Sequence, residues 1–173
     1  MNTLSKKVAT ATAIFLAATM AINAGSTSYG AVTLTTDQKK QLQYLFEEEK
    51  LARDVYNYLA TTVTTQKFSN IARSEQTHLN YVASLMKTYK VYNPAATTKP
   101  GVFKDAELQK LYNELTASGS AGVLAAFNAG VAIEKLDISD LKEIMAMKFP
   151  ADIQAMLTSL LNGSQNHLAA FTR

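Results

Sequence analysis

The chain contains no cysteine. That absence excludes disulfides, thiolate metal ligands, thiol nucleophiles and a lipoprotein attachment site. It leaves stability to packing, and any metal to oxygen and imidazole donors. Strand signals are also missing, because no period-two runs of valine and isoleucine occur; an all-α domain is the economical reading. No basic stripe interleaved with aromatics is present and the formal charge is only +3, so nothing points to a nucleic-acid partner. Histidine is scarce, at two residues, and the positions of those two make the strongest functional statement in the sequence.

Glu49 precedes Glu75-Gln76-Thr77-His78, and Glu134 precedes Ser164-Gln165-Asn166-His167. Carboxylate and histidine are thus 29 residues apart in one case and 33 in the other. Residues three apart share a helix face, so Glu75 and His78 can ligate one metal together.

At a length of 173 residues, one domain of ordinary size with a real core is expected. Lys6 and Lys7 precede an uncharged run over residues 8–24, short for a membrane span and suited to a secretory signal. Residues 1–31 are read as a signal peptide cleaved somewhere between 21 and 31, which makes the protein exported: periplasmic, cell-surface or extracellular. Removal of the two lysines leaves a charge of +1 and no stable membrane span. An uncleaved anchor or a buried helix is the alternative for this segment.

In the remainder, Thr35-Thr36-Asp37 offers caps for a helix to about Ala60, with Leu42, Leu45, Phe46, Glu49, Ala52, Val55, Tyr56 and Leu59 at helical spacing. A second helix is expected from about Phe68 to Tyr89, with Ile71, Ala72, Glu75, His78, Leu79, Val82 and Leu85 inward. Asn93-Pro94 and Lys99-Pro100-Gly101 punctuate a long connection holding a short helix, about Lys104 to Thr116. Ser118-Gly119-Ser120 is read as the opening of a third helix, about Ala121 to Leu136, which Asp137-Ile138-Ser139-Asp140 either continues or caps off. Phe149-Pro150 starts the last helix, where Gly163 marks a kink or a break.

Four helices that each aim a carboxylate or imidazole at one interior point can bind two metal ions. Any one of Glu49, Glu75 or Glu134 alone would be read as a surface acid, and either histidine alone as a buried ring satisfied by hydrogen bonds. Their joint spacing reverses both readings. Tyr44, Tyr56, Tyr58 and Tyr81 are expected as core aromatics, with hydrogen bonding to the site as the lesser alternative.

The run Glu49-Lys50-Leu51-Ala52-Arg53-Asp54-Val55-Tyr56-Asn57-Tyr58-Leu59-Ala60 resembles the first metal-binding helix of rubrerythrins and other ferritin-like proteins. Phe68-Ser69-Asn70-Ile71-Ala72-Arg73-Ser74-Glu75-Gln76-Thr77-His78 resembles their second. With the ending Gly163-Ser164-Gln165-Asn166-His167-Leu168-Ala169-Ala170-Phe171, the chain is similar, over most of residues 37–173, to exported members of a ferritin-like family catalogued as domain of unknown function 2202. The resemblance implies a ferritin-like four-helix bundle with an additional short helix in the long connection, holding one or two iron ions, with manganese or zinc as alternatives. It assigns Glu49 as the ligand of the first helix, because Ala52 and Tyr56 follow at three and seven, and leaves Glu47 and Glu48 to solvent. Glu134-Lys135-Leu136-Asp137 looks like the paired acids of the third helix, which makes Asp137 an alternative ligand. The departure is in the last helix, where the usual Glu-x-x-His has become Ser164-x-x-His167.

The leading expectation is therefore an exported metal-binding protein with Glu49, Glu75, His78, Glu134, His167 and Asp137 as ligands. Oxidation of ferrous iron, or reduction of dioxygen or peroxide, is its enzymatic outcome if there is one. The alternative is a structural or interaction bundle that has lost metal chemistry. A homo-oligomer is compatible with either. A large storage shell is disfavoured beside a signal peptide and an irregular second half.

Overall fold

The structure is a computed structural model that describes residues 33–173; the segment read as a signal peptide lies outside the described residues. Five helices, and no strands, occur among them: α1 (Thr36–Thr62), α2 (Gln66–Thr88), α3 (Ala106–Gly119), α4 (Val123–Met145) and α5 (Ala151–Phe171). None of them is long and apolar enough to cross a membrane.

Local chemistry sets the boundaries. Thr35 caps α1 through a reciprocal pair with Gln38, and Asp105 accepts from the Glu107 and Leu108 amides to start α3; each supplies acceptors to first-turn amides that have none inside the helix. α4 has no side-chain cap and begins at Gly122, whose φ of 141° is a conformation other residues rarely adopt. That glycine, rather than Ser118-Gly119-Ser120, makes the turn. Ser118 and Gly119 belong to α3, which runs longer than expected. Asp137-Ile138-Ser139-Asp140 continue α4 instead of ending it, and α5 passes through Gly163 without a break.

Two apolar clusters form the core. One gathers Leu42, Leu45 and Phe46 of α1 with Val82 and Met86 of α2, Leu141 and Ile144 of α4, and Ile153, Met156, Leu157 and Leu160 of α5. The other gathers Val55, Tyr56 and Leu59 of α1 with Phe68 and Ile71 of α2, Leu108 and Leu115 of α3, Ala126, Ala129 and Ile133 of α4, and Phe171 of α5. Burying this apolar surface is the main stabilising term of the fold. The order of the residues gives the directions: α1 and α5 run from the first cluster to the second, α2 and α4 from the second to the first. The long connection and α3 are what allow α4 to run in the same sense as α2.

Candidate metal centre

Each of α1, α2, α4 and α5 carries its polar residues where it passes from one apolar cluster to the other. Glu49, Glu75, His78, Glu134, Ser164 and His167 are all buried at that level. Glu75 and His78 lie on one face of α2, and His78 and His167 stack with ring centroids 5.6 Å apart. His78 Nδ1 is 2.9 Å from Glu75 Oε2 and 3.3 Å from Glu49 Oε2. His167 Nδ1 is 2.7 Å from Glu75 Oε1 and 3.6 Å from Glu134 Oε1. The result is two groups of metal-ligating atoms, Glu49 with Glu75 and His78, and Glu75 with Glu134 and His167, joined by the two oxygens of Glu75.

Close as these contacts are, they are not aligned as hydrogen bonds. Both Nδ1 atoms, Glu49 Oε1 and Glu75 Oε1 are buried without a hydrogen-bond partner. Buried polar atoms nearly always have partners, so a concentration of orphans at one point needs an explanation. Donor atoms that converge on shared space rather than on each other fit a cation.

The ionisation equilibria agree with that geometry. Burial raises Glu49 to about 7, helped by Glu75 and opposed by His78. Burial likewise raises Glu134 to about 7, against the pull of His167 and Tyr56. Burial also opposes ionisation of Glu75, but the two imidazoles beside it outweigh that and lower its pKa. For His78, burial disfavours the charged ring, yet Glu49 and Glu75 win and raise it to about 10; His167, facing Glu134 and Glu75, is raised to about 9. Without a cation, the cluster holds protons that ordinary glutamate and histidine would release.

Surrounding groups fix these side chains. The Tyr56 hydroxyl donates to Glu134 Oε1 at 2.6 Å, and Ser74 Oγ lies 3.0 Å from His167 Nε2. With Nε2 hydrogen-bonded, Nδ1 is the nitrogen left for the site. Gly163 performs a steric role: a Cβ there would sit 2.5 Å from His78 Cε1 and 2.6 Å from Nε2. The expected kink is replaced by a packing requirement, since only glycine lets α5 close over the imidazole. Ser164 Oγ hydrogen-bonds Asp137 Oδ2 and the Leu160 carbonyl. Asp137 lies outside both ligand groups, with Oδ1 buried and unpartnered and Glu49, Glu134 and Glu75 as its acidic neighbours.

Glu47 and Glu48 correct the sequence reading, being each only 5% exposed. Glu47 accepts from the Lys104 and Asp105 amides at 2.6 and 3.3 Å and so binds the start of α3 to α1. Next to it, Lys50 holds Asp54 and the Lys99 and Val102 carbonyls. α1 is thus covered on the side where solvent was expected. Glu48 has both oxygens buried without partners. Tyr58 and Tyr81, expected in the core, are each 40% exposed. Sequence reasoning missed Ser74 and the role of Gly163. The position of Gly163 four residues before His167, on the same helix face, was the available signal.

The family described as "Uncharacterized protein domain (DUF2202)" matches residues 38–173. The chain belongs to that family. It is 38% identical over 140 residues to an uncharacterized protein of Methanocaldococcus jannaschii, MJ0754, covering 81% of this chain and 76% of the relative. The crystal structure of hypothetical protein MJ0754 from Methanococcus jannaschii superposes with a TM-score of 0.78 at 37% identity, over 81% of this chain and 80% of that one.

Proposed function

We propose that this chain is an exported, ferritin-like metal-binding protein that holds two divalent cations side by side, with Glu75 shared between them. The observation that carries the reading is the set of buried, unpartnered donor atoms on Glu49, Glu75, His78 and His167 around a carboxylate with one oxygen toward each histidine. The directions of α1, α2, α4 and α5, with one long crossover between α2 and α4, agree with a ferritin-like four-helix bundle. Glu49, Glu75 and His78 would hold one cation; Glu75, Glu134 and His167 would hold the other. Asp137, steadied by Ser164, stands in for the carboxylate that α5 lacks. Counting Asp137, four carboxylates match the charge of two divalent cations.

Oxygen and imidazole donors with a shared carboxylate favour iron, then manganese; zinc fits the donors but supplies no redox chemistry. Iron or manganese would supply the redox chemistry that passes electrons to dioxygen or peroxide, or takes them from ferrous ion. The chain's own part is to exclude bulk water with its two apolar clusters, to orient His167 through Ser74, and to hold Glu134 through Tyr56. Because the metal-free cluster retains protons, loading releases them, and apparent affinity should rise with pH.

Elemental analysis and anaerobic ferrous titration of the mature protein test the reading. Unaltered protein and Glu114→Ala, whose side chain is 61% exposed, should retain metal, whereas Glu75→Ala and His78→Ala should lose it. Equal metal content in all four proteins, or none in the unaltered one, would leave a structural bundle.

A further inference from the structure

Four acids of α4 recur at three-residue spacing: Glu134, Asp137, Asp140 and Glu143. Three residues advance about 4.5 Å along a helix and fall roughly 60° short of a full turn, so such a stripe winds around its helix. Here it winds from core to surface. Glu134 is 1% exposed, Asp137 and Asp140 are half-buried, and Glu143 is exposed. The outer two line a surface cavity of about 480 Å³, together with Lys40, Gln41, Tyr44, Ile144 and Met147.

Glu48 of α1 neighbours both Asp140 of the cavity lining and Glu49 of the candidate centre. It is 95% buried by its 5% exposure, and both its oxygens lack a hydrogen-bond partner. Its carboxyl lies against that of Asp140, with Asp137 and Glu49 as its other acidic neighbours. Asp137 Oδ1, the next inward, is likewise buried and unpartnered. The fold leaves both oxygens of Glu48 and one of Asp137 without a partner, and burying such atoms unpaired is costly. Structural acids of this protein behave differently, since Glu47 and Asp54 in α1 both have amide or ammonium partners.

We propose that the cavity beside Tyr44 is the mouth of a path by which divalent cations reach the centre, passing from Glu143 and Asp140 to Glu48 and Asp137 and then to Glu49. The proposal rests on the metal-binding reading above and adds its route. Lys40 at the mouth opposes a cation, and its exposed position makes it a point where the rate can be raised without touching the core.

Stopped-flow uptake of Co²⁺ by metal-free protein, followed by the absorbance of the bound ion, tests the path. Glu48→Gln and Asp140→Asn should each slow uptake at least about tenfold while saturating at the same stoichiometry, and Lys40→Glu should speed it several-fold in an ionic-strength-dependent way. Glu114→Gln, away from the stripe, should leave the rate unchanged. Unchanged rates in Glu48→Gln, Asp140→Asn and Lys40→Glu, with normal final binding, would overturn the path and leave the centre standing. Loss of one equivalent in Glu48→Gln would make Glu48 a ligand rather than part of a path. No binding by the unaltered protein would overturn both the path and its destination.

Discussion

In α2 the residue three before the histidine is Glu75, which turns an oxygen toward each imidazole. In α5 the same position is Ser164, which hydrogen-bonds Asp137 of α4. The two halves of the centre therefore share a plan and differ in one part. The negative charge missing from α5 is present one helix over, at Asp137. The halves also differ in what surrounds their carboxylates. Asp137 has Glu49 as its foremost acidic neighbour, which makes the His78 side the more anionic. Glu134 on the His167 side has one oxygen already engaged by Tyr56. The difference teaches that charge can move between helices while the histidine positions stay fixed, and that the His78 position should be the tighter of the two.

Glu75→Gln breaks the comparison most severely, because it removes the only carboxylate common to both ligand groups. Both equivalents should weaken by more than about a hundredfold in anaerobic titration. Retention of either at full affinity would mean that Glu75 is not shared. Single histidine changes separate the halves. His78→Ala should remove the tight equivalent and His167→Ala the weak one, and a reversed order would invert the asymmetry argued above.

Smaller effects sharpen the role of the substituted carboxylate. Asp137→Asn should weaken the tight equivalent on the His78 side, and Ser164→Ala should do so by about tenfold through loss of the hydrogen bond that steadies Asp137. Indifference to both would show that Asp137 is no ligand. Gly163→Ala adds a methyl where His78 stands. Calorimetry should show it costing about 1–3 kcal/mol in overpacking, offset by up to about 1 kcal/mol from better helix propensity. Metal should be lost on the His78 side first.

The convergence of the candidate residues was legible where a helix obeys its period. Glu49, Glu75, His78, Glu134 and His167 fall on inward faces that the apolar pattern defines, and the structure brings all five to one level of the core. Illegible features depend on what covers a helix. Periodicity assigns one wet face to α1, but α3 and the preceding connection close over Glu47, and Glu48 is buried facing the acids of α4, so both are buried against expectation. Gly163 was misread for the same reason, since its cause is an imidazole on another helix. Ser118-Gly119-Ser120 carries residues typical of a turn, yet α3 continues through Gly119 and the break waits for Gly122, where φ requires a glycine.

The central claim is that two cations sit on either side of Glu75, and anomalous diffraction from crystals grown with manganese tests it most directly. Two peaks are predicted, one beside His78 Nδ1 and Glu49, the other beside His167 Nδ1 and Glu134, with one Glu75 oxygen on each. Crystals of metal-loaded protein with no peak between those residues, or with a single peak that Glu75 does not touch, would contradict it.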